Sequence, residues 1–197
     1  MEFKNKDKTL LILDLDETLI YGTKKELDRT ADFMVYDYYI YKRPNLLEFI
    51  KKIKEDYLLG VWSSASDDYV NAITNKIFSD PKELEFIWGR SRCTYRRNNR
   101  IDEFGYYDAD QQNHYHYIKP LKKLKKKGYI LERILIVDDT PHKSKDNYGN
   151  AIYPKMYQGE ENDVELIYLQ KYLEILKTES NVRKLEKRGW RNRIIEK

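Results

Sequence analysis

Short apolar runs alternate along the chain with segments in which apolar residues recur at helical spacing. An uninterrupted apolar run ends at Asp14, and a second run ends at the pair Asp138-Asp139. Runs of this length, bounded by polar residues, predict strands buried on both faces. The predicted strands span residues 9–13, 57–62, 84–88, 134–137 and 151–153. Because helical segments separate them, the pattern predicts an α/β fold with a central parallel sheet.

Helix signals fill the gaps between the predicted strands. Pro44 and Pro120 each open a helical segment, the second of them short and rich in lysine. Ser66 or Asp67 is expected to cap another helix. Asn162 and Glu165 resemble a capping box for the last one. The predicted helices span residues 44–56, 67–78, a short stretch after 120, and 162–177.

Three segments depart from this alternation. Aromatic and β-branched residues are frequent at 33–41, which predicts a hairpin or flap strand within a flap over about 20–42. Residues 89–117 are polar and aromatic without a clear period, which favours a functional insertion over one end of the sheet. Residues 178–197 are basic and are predicted to form a helical tail beyond a single domain over 1–177.

Composition narrows the class of protein. The chain has 197 residues, of which 41% are apolar and 36% charged, as expected for a polar globular domain. A net charge of +4 is too small to indicate a polyanionic partner. The single cysteine excludes a disulfide framework and fits a reducing cytoplasm, with the nucleus possible for a eukaryotic source. The first residues predict neither a signal peptide nor a membrane span, so no membrane association is expected.

Polar or charged residues directly follow the predicted strands at 9–13, 57–62 and 134–137, and a lysine precedes the last of these strands. In a parallel sheet, right-handed crossovers bring the carboxyl ends of the strands to one edge, where ligands bind. Carboxylates, a lysine and a hydroxyl gathered there suit a site for Mg²⁺ and phosphate. Taken singly, each residue has a structural alternative: an acidic turn, a helix cap or a lysine-rich surface. The residues in question are Asp14, Asp16, Ser63, Lys119, Asp138 and Asp139.

Motifs around these residues follow one another in a recognisable order: Asp14-Leu15-Asp16-Glu17-Thr18, Lys42-Arg43-Pro44, Val61-Trp62-Ser63-Ser64, Tyr117-Ile118-Lys119 and Val137-Asp138-Asp139-Thr140-Pro141. This order resembles the haloacid dehalogenase superfamily. Within it, the chain resembles the RNA polymerase II carboxy-terminal-domain phosphatases and their small, NLI-interacting-factor-like relatives. The resemblance implies a Rossmann-like three-layer fold and a Mg²⁺-dependent phosphatase that forms an aspartyl-phosphate.

The resemblance also implies a role for each residue. Asp14 is expected to be the nucleophile, and Asp16 the acid and base, with a pKa above its ordinary value. Lys119 and Ser63 are expected to hold the phosphoryl oxygens. The expected metal ligands are Asp14, Asp16 through its backbone carbonyl, Asp138 and Asp139. The expected substrate contacts are Ser64, Arg90 and Thr18, the last also fixing the geometry of the first loop.

The substrate is less well defined than the chemistry. A phosphoserine or phosphothreonine protein is the default that the resemblance implies. However, the insertion is longer than in the small relatives, and the flap lacks a clear match to their hydrophobic pocket. A small phosphorylated metabolite, a nucleic-acid phosphate end, a non-catalytic binding module and a nucleic-acid-binding protein that uses the basic stretch 183–193 are the alternatives. The sequence does not indicate an oligomeric state.

Overall fold

The computed structural model describes residues 3–97 and 115–195. The strands are β1 (Leu10–Leu13), β2 (Ile20–Thr23), β3 (Phe33–Val35), β4 (Tyr38–Lys42), β5 (Leu58–Trp62), β6 (Ile87–Trp88), β7 (Thr94–Arg97), β8 (Tyr115–Ile118), β9 (Ile134–Val137) and β10 (Ala151–Ile152). The helices are α1 (Leu46–Asp56), α2 (Asp67–Ile77), α3 (Lys122–Lys125), α4 (Glu165–Leu176) and α5 (Asn192–Ile195). Among the described residues, no helix combines the length and the apolar character that crossing a membrane requires.

The central sheet has five parallel strands in the order β10-β9-β1-β5-β6. β1 lies in the middle, with Leu13 paired to Val61 of β5 and to Val137 of β9. All four residues of β1 and of β9 are buried, as their uninterrupted apolar runs predict. The parallel α/β sheet predicted from the sequence is therefore confirmed. The predicted strand at 84–88 is a regular strand only over its last two residues, although the backbone N–H of Glu85 also donates to the oxygen of Leu59 in β5.

Alternate residues of the strands face two separate hydrophobic layers. Leu11 and Leu13 pack with the apolar faces of α1, α2 and α4 on one side of the sheet. Leu10 and Ile12 pack on the other side, with the two buried tryptophans of β5 and β6 and with α3. Burial of one such aliphatic side chain contributes about 1.5–3 kcal/mol. Sheet and helices form the three layers that the resemblance implies.

A separate antiparallel sheet, in the order β2-β4-β3, covers residues 20–42. This confirms the predicted flap and its hairpin. Tyr36 lies in the β3–β4 turn with φ 54, is 66% exposed, and stands at the tip of the hairpin. Because β2 begins only a few residues after Asp16, the flap lies next to the loop that ends β1.

The ends of the segment predicted as an irregular insertion form a regular hairpin. β7 and β8 pair antiparallel, with Thr94 opposite Ile118. The predicted insertion at 89–117 therefore contains paired strands near both of its ends, which its aperiodic sequence does not indicate. Residues 98–114, the middle of the predicted insertion, lie outside the described residues.

The start of α4 differs from the sequence prediction. The N-cap of this helix is Val164, and the backbone N–H of Glu165 donates to the Asp163 carboxylate at 2.9 Å, so the predicted capping box of Asn162 and Glu165 is wrong. The Glu165 carboxylate accepts a hydrogen bond from the backbone N–H of Lys155 at 2.8 Å and pairs with Arg191. Glu165 is buried, and its charge serves tertiary contacts instead of its own helix.

The basic C-terminal segment packs into the same core. Trp190 is 2% exposed, its ring stacks on Tyr172 with centroids 5.4 Å apart, and its indole N–H donates to the backbone oxygen of Tyr153 at 3.1 Å. The Lys187 ammonium is buried and donates to the backbone oxygen of Gly149 at 2.8 Å. Its regular elements in the described part are one 3-10 turn, Val182–Lys184, and α5. The predicted helical tail is thus mostly non-helical and belongs to the folded domain.

Candidate active site

Three strands of the central sheet end in polar residues at the same level. Asp14 follows β1, Ser63 follows β5, and Asp138 with Asp139 follows β9. The backbone N–H of Asp14 donates to the oxygen of Val137, and that of Ser63 donates to the oxygen of Trp88. The backbone hydrogen bonds of the sheet therefore continue one residue beyond the strands and fix the positions of Asp14 and Ser63. The sequence-based expectation that the strand ends converge agrees with this arrangement.

Lys119 joins the ends of two strands through a buried ion network. Its ammonium lies 2.9 Å from Oδ1 of Asp14 and 2.7 Å from Oδ2 of Asp138, and all three side chains are at most 1% exposed. A buried charge is costly unless it is paired, so this lysine and the two carboxylates depend on one another. Burial lowers the pKa of Lys119, but Asp138 and Asp14 outweigh it and raise the pKa overall. The lysine therefore stays charged.

Asp14 has the electrostatics of an ionised nucleophile. Burial raises its pKa, but the ammonium groups of Lys119 and Lys143 outweigh burial and hold the pKa of Asp14 below its ordinary value. Oδ1 accepts hydrogen bonds from Lys119 and from the backbone N–H of Leu15. Oδ2 is buried and has no hydrogen bond within the described residues. One oxygen is held in place, and the other is left for a ligand or a reacting atom.

Asp16, two residues further on, is tuned in the opposite direction. Burial first, and then the charge of Asp14, raise its pKa above the ordinary value, as predicted from the sequence. Its carboxylate accepts hydrogen bonds from the Tyr69 hydroxyl at 2.9 Å and the Ser63 hydroxyl at 3.3 Å. Two neighbouring carboxylates with pKa values shifted apart are typical of a nucleophile beside a general acid.

The residues present fit a divalent metal. Oxygens of Asp14, Asp138 and Asp139 lie within 4.8 Å of one another. Carboxylate oxygens are the ligands that Mg²⁺ prefers, and the orphaned Oδ2 of Asp14 is a buried acceptor that a cation would satisfy. The carboxylate of Asp16 does not belong to this cluster, so its expected metal contact rests on its backbone carbonyl.

Thr18 orients one of these candidate ligands. Its hydroxyl donates to Oδ1 of Asp139 at 3.2 Å and accepts from the Asp139 backbone N–H at 3.1 Å. The Thr18 backbone oxygen accepts from the guanidinium of Arg43 at 2.9 Å. Thr18 is fully buried. These contacts agree with the expected role in loop geometry, and the substrate contact of Thr18 stays a prediction.

Arg90 and Ser64 lie beside the carboxylates, near the flap. The Arg90 guanidinium donates to the backbone oxygen of Ser64 at 2.9 Å and lies over the Tyr117 ring at 5.3 Å. Arg90 also lines an open cavity of about 440 Å³, which the Asp16 loop, the flap tip and the start of α2 complete. Below, this space is called the flap cavity; its lining includes Asp16, Glu17, Tyr36, Tyr38, Tyr69 and Arg90. A group bound there would lie next to Asp16.

Three residues of the site were missed by the sequence analysis. Lys143 reaches back from the loop after β9 and places its ammonium 3.6 Å from Oδ2 of Asp14. Tyr69 lies in the first turn of α2, where the sequence pattern indicates an ordinary core residue. Glu17 is half-buried, and burial together with Asp16 and Asp139 raises its pKa to about 7. The only sequence signal for them is proximity: Glu17 lies inside the first motif, and Lys143 follows the last one.

Comparison with known proteins identifies the family. Residues 9–183 match the family described as NLI interacting factor-like phosphatase. The chain is 28% identical over 184 residues to CTD small phosphatase-like protein 2 of Dictyostelium discoideum, covering 89% of this chain and 29% of that protein. It is 28% identical over 202 residues to putative CTD phosphatase-like protein 355R of Invertebrate iridescent virus 3, covering 88% of this chain and all of the viral protein.

A human relative and a solved structure agree with this match. The chain is 25% identical over 181 residues to human carboxy-terminal domain RNA polymerase II polypeptide A small phosphatase 1, covering 88% of this chain and 61% of that protein. It therefore spans less than two thirds of the slime-mould and human relatives. Fission yeast Fcp1, an RNA polymerase II CTD phosphatase bound to beryllium fluoride, has the same fold with a TM-score of 0.54 and 18% identity, over 92% of this chain and 55% of Fcp1. With the ordered motifs, the parallel sheet and the family match in agreement, the chain belongs to the NLI interacting factor-like phosphatases.

Proposed function

We propose that this protein is a Mg²⁺-dependent phosphomonoester hydrolase that acts through Asp14, most directly on phosphoserine or phosphothreonine in a protein or peptide. The observation that carries the proposal is the pair of neighbouring carboxylates. Asp14 is buried against Lys119 and Lys143 and has a lowered pKa, whereas Asp16 has a raised one. Opposite pKa shifts two residues apart suit a nucleophile and a general acid.

In the first step, a carboxylate oxygen of Asp14 attacks phosphorus as the bond from phosphorus to the serine or threonine oxygen breaks. Asp16 gives its proton to the departing oxygen, so the products are a free hydroxyl and a phosphorylated Asp14. In the second step, Asp16 takes a proton from water, and the water oxygen attacks phosphorus. The bond from phosphorus to Asp14 breaks, inorganic phosphate leaves, and both aspartates return to their starting states.

The remaining residues position charge for these steps. Mg²⁺ would be held by Asp14, Asp138, Asp139 and the backbone carbonyl of Asp16, and it would supply positive charge to balance the phosphoryl group. Lys119 keeps Asp14 ionised at 2.9 Å. The Ser63 hydroxyl, which donates to Asp16 at 3.3 Å, would donate to a phosphoryl oxygen instead when substrate binds. Charge spread over those oxygens in the transition state is what these donors stabilise.

The relatives support a polypeptide substrate, since several of them are named as CTD phosphatases. A zebrafish relative, 25% identical over 200 residues, is named CTD nuclear envelope phosphatase 1B. A nuclear or cytoplasmic compartment therefore accords with both the names and the single cysteine. The flap cavity adds a structural reason, because its tyrosines and Arg90 offer contact area beyond what a phosphoryl group needs.

The test is hydrolysis of p-nitrophenyl phosphate with Mg²⁺, followed by phosphopeptides, phosphorylated metabolites and 5′-phosphorylated oligonucleotides. Asp14→Asn removes the nucleophile and is expected to lower kcat at least about a thousandfold. Asp68→Asn is the matched control, because Asp68 is exposed at the start of α2. Full activity of Asp14→Asn, or of the unmodified protein in excess chelator, would contradict the mechanism. A preference for metabolites or oligonucleotides over every phosphopeptide would support the proposed reaction but contradict the proposed substrate.

A further inference from the structure

A second cavity lies beside the edge strand of the sheet, opposite in character to the acidic active site. It has a volume of about 510 Å³ and is here called the basic groove. Trp88 forms its floor, and five cationic side chains surround it. Its lining residues are Trp88, Ser91, Arg92, Lys122, Lys123, Lys126 and Lys127.

Positive charge is concentrated in the basic groove. In the described part of the chain, none of the five makes an ion pair with a carboxylate. The Arg92 guanidinium and the Lys127 ammonium each lie 5.8 Å from the Trp88 ring. Burial, and then the neighbouring Arg92 and Lys122, lower the pKa of Lys123, so positive charge is crowded here. An unpaired group of this kind attracts an anion.

The basic groove and the flap cavity flank the same turn of the chain. Arg90 lines the flap cavity, Ser91 and Arg92 line the basic groove, and these three residues form one 3-10 turn. The Lys123 ammonium donates to the backbone oxygen of Arg92 at 2.7 Å and holds the turn against α3. An extended polypeptide seated beside Asp16 therefore needs to cross only this turn to reach the basic groove.

We propose that the basic groove binds a cluster of aspartate and glutamate residues flanking the phosphorylated residue of the polypeptide substrate, while the phosphate is hydrolysed at Asp14. This inference rests on the proposed function and specifies its substrate class. A polypeptide is favoured over a nucleic acid for two reasons. The groove lies one turn of the chain from the cavity beside Asp16, where the proposed function seats a phosphoester, and a single tryptophan, 6% exposed, offers little surface for stacking bases.

The experiment uses the full chain and two monophosphorylated peptides, one flanked by glutamates on both sides and one flanked by uncharged residues. The unmodified protein is expected to show a higher kcat/KM for the acidic peptide, with an advantage that shrinks as salt rises. Lys126→Glu is expected to lower kcat/KM for the acidic peptide about tenfold, since it replaces an attraction by a repulsion. The neutral peptide and p-nitrophenyl phosphate are expected to be hydrolysed as before.

Lys125→Glu is the matched control. Lys125 is the neighbouring exposed residue and undergoes the same charge change, but it does not line the basic groove. Equal losses in the two variants would mean that only the overall field matters, and that result would overturn the proposal. The proposal would also fail if Lys126→Glu weakened binding of a single-stranded RNA oligonucleotide and left both peptides unaffected.

A direct binding measurement separates this inference from the proposed function. Fluorescence anisotropy of a labelled acidic peptide needs no turnover, and Lys126→Glu is expected to weaken its binding whereas Lys125→Glu is not. If p-nitrophenyl phosphate were not hydrolysed but the two variants still differed in binding, the proposed catalysis would be wrong and the assignment of the basic groove would be supported. If hydrolysis occurred without the difference, the groove assignment would be wrong.

Discussion

Asp163→Asn tests whether a buried ion pair joins the flap to the last core helix. Arg43 is 1% exposed, and its Nε and Nη2 each donate to the Asp163 carboxylate at 2.8 Å. Its Nη1 donates to the backbone oxygen of Thr18 at 2.9 Å. Asparagine keeps the size of the side chain and an oxygen for the Glu165 backbone N–H, which Asp163 holds at 2.9 Å. The substitution therefore removes the charge with little change in packing.

The expected cost follows from leaving the guanidinium buried without a counter-charge. Removal of one partner of a buried ion pair costs about 3–5 kcal/mol. Asp163 is 13% exposed on its side chain, so the lower end, about 3 kcal/mol, is expected. With a urea m-value of about 2 kcal/mol/M, the unfolding midpoint would fall by about 1.5 M. Urea titration followed by tryptophan fluorescence measures this change.

Asp56→Asn is the control with the same chemistry. Asp56 pairs with Lys177 at 3.1 Å, but the two side chains are 35% and 40% exposed. An exposed pair of this kind contributes about 0–1 kcal/mol. The double variant Arg43→Met with Asp163→Leu removes both charges and is expected to lose less than the two single changes together. A loss below about 1 kcal/mol for Asp163→Asn, or one equal to the control, would refute the argument.

Two further predictions concern the site. Tyr69→Phe removes the hydroxyl that stabilises ionised Asp16, so the pKa of Asp16 is expected to rise. Because the first step needs Asp16 protonated, the alkaline limb of the kcat/KM profile for p-nitrophenyl phosphate should move to higher pH. An unmoved limb would contradict the assignment of Asp16 as the acid. Lys143→Met removes a charge 3.6 Å from Asp14 and should raise the inhibition constant of inorganic phosphate about tenfold. Lys145→Met, at an exposed lysine nearby, should leave that constant unchanged. Equal effects of the two substitutions would count against a contact between Lys143 and phosphate.

The sheet and the acidic side of the site were predictable because their signals are local. β1 and β9 are continuous apolar runs that end at Asp14 and Asp138, so the pattern placed both strand and carboxylate. Lys143 and Tyr69 come close to the aspartates only in the folded chain, and no hydrophobic periodicity in the sequence predicts that proximity. The capping box failed for a related reason. Glu165 has the right spacing from Asn162, but tertiary contacts with Lys155 and Arg191 outweigh a local cap.

The burial of Trp190 has a consequence for how this protein comes into being. Synthesis proceeds from the N-terminus, so β1 and the loop with Asp14 and Asp16 are made long before the tryptophan that stacks on Tyr172. Until residue 190 has emerged, α4 exposes the apolar surface that this indole covers in the finished domain. The nascent chain therefore carries Asp14 and Asp16 for most of its synthesis while this part of the core is still open.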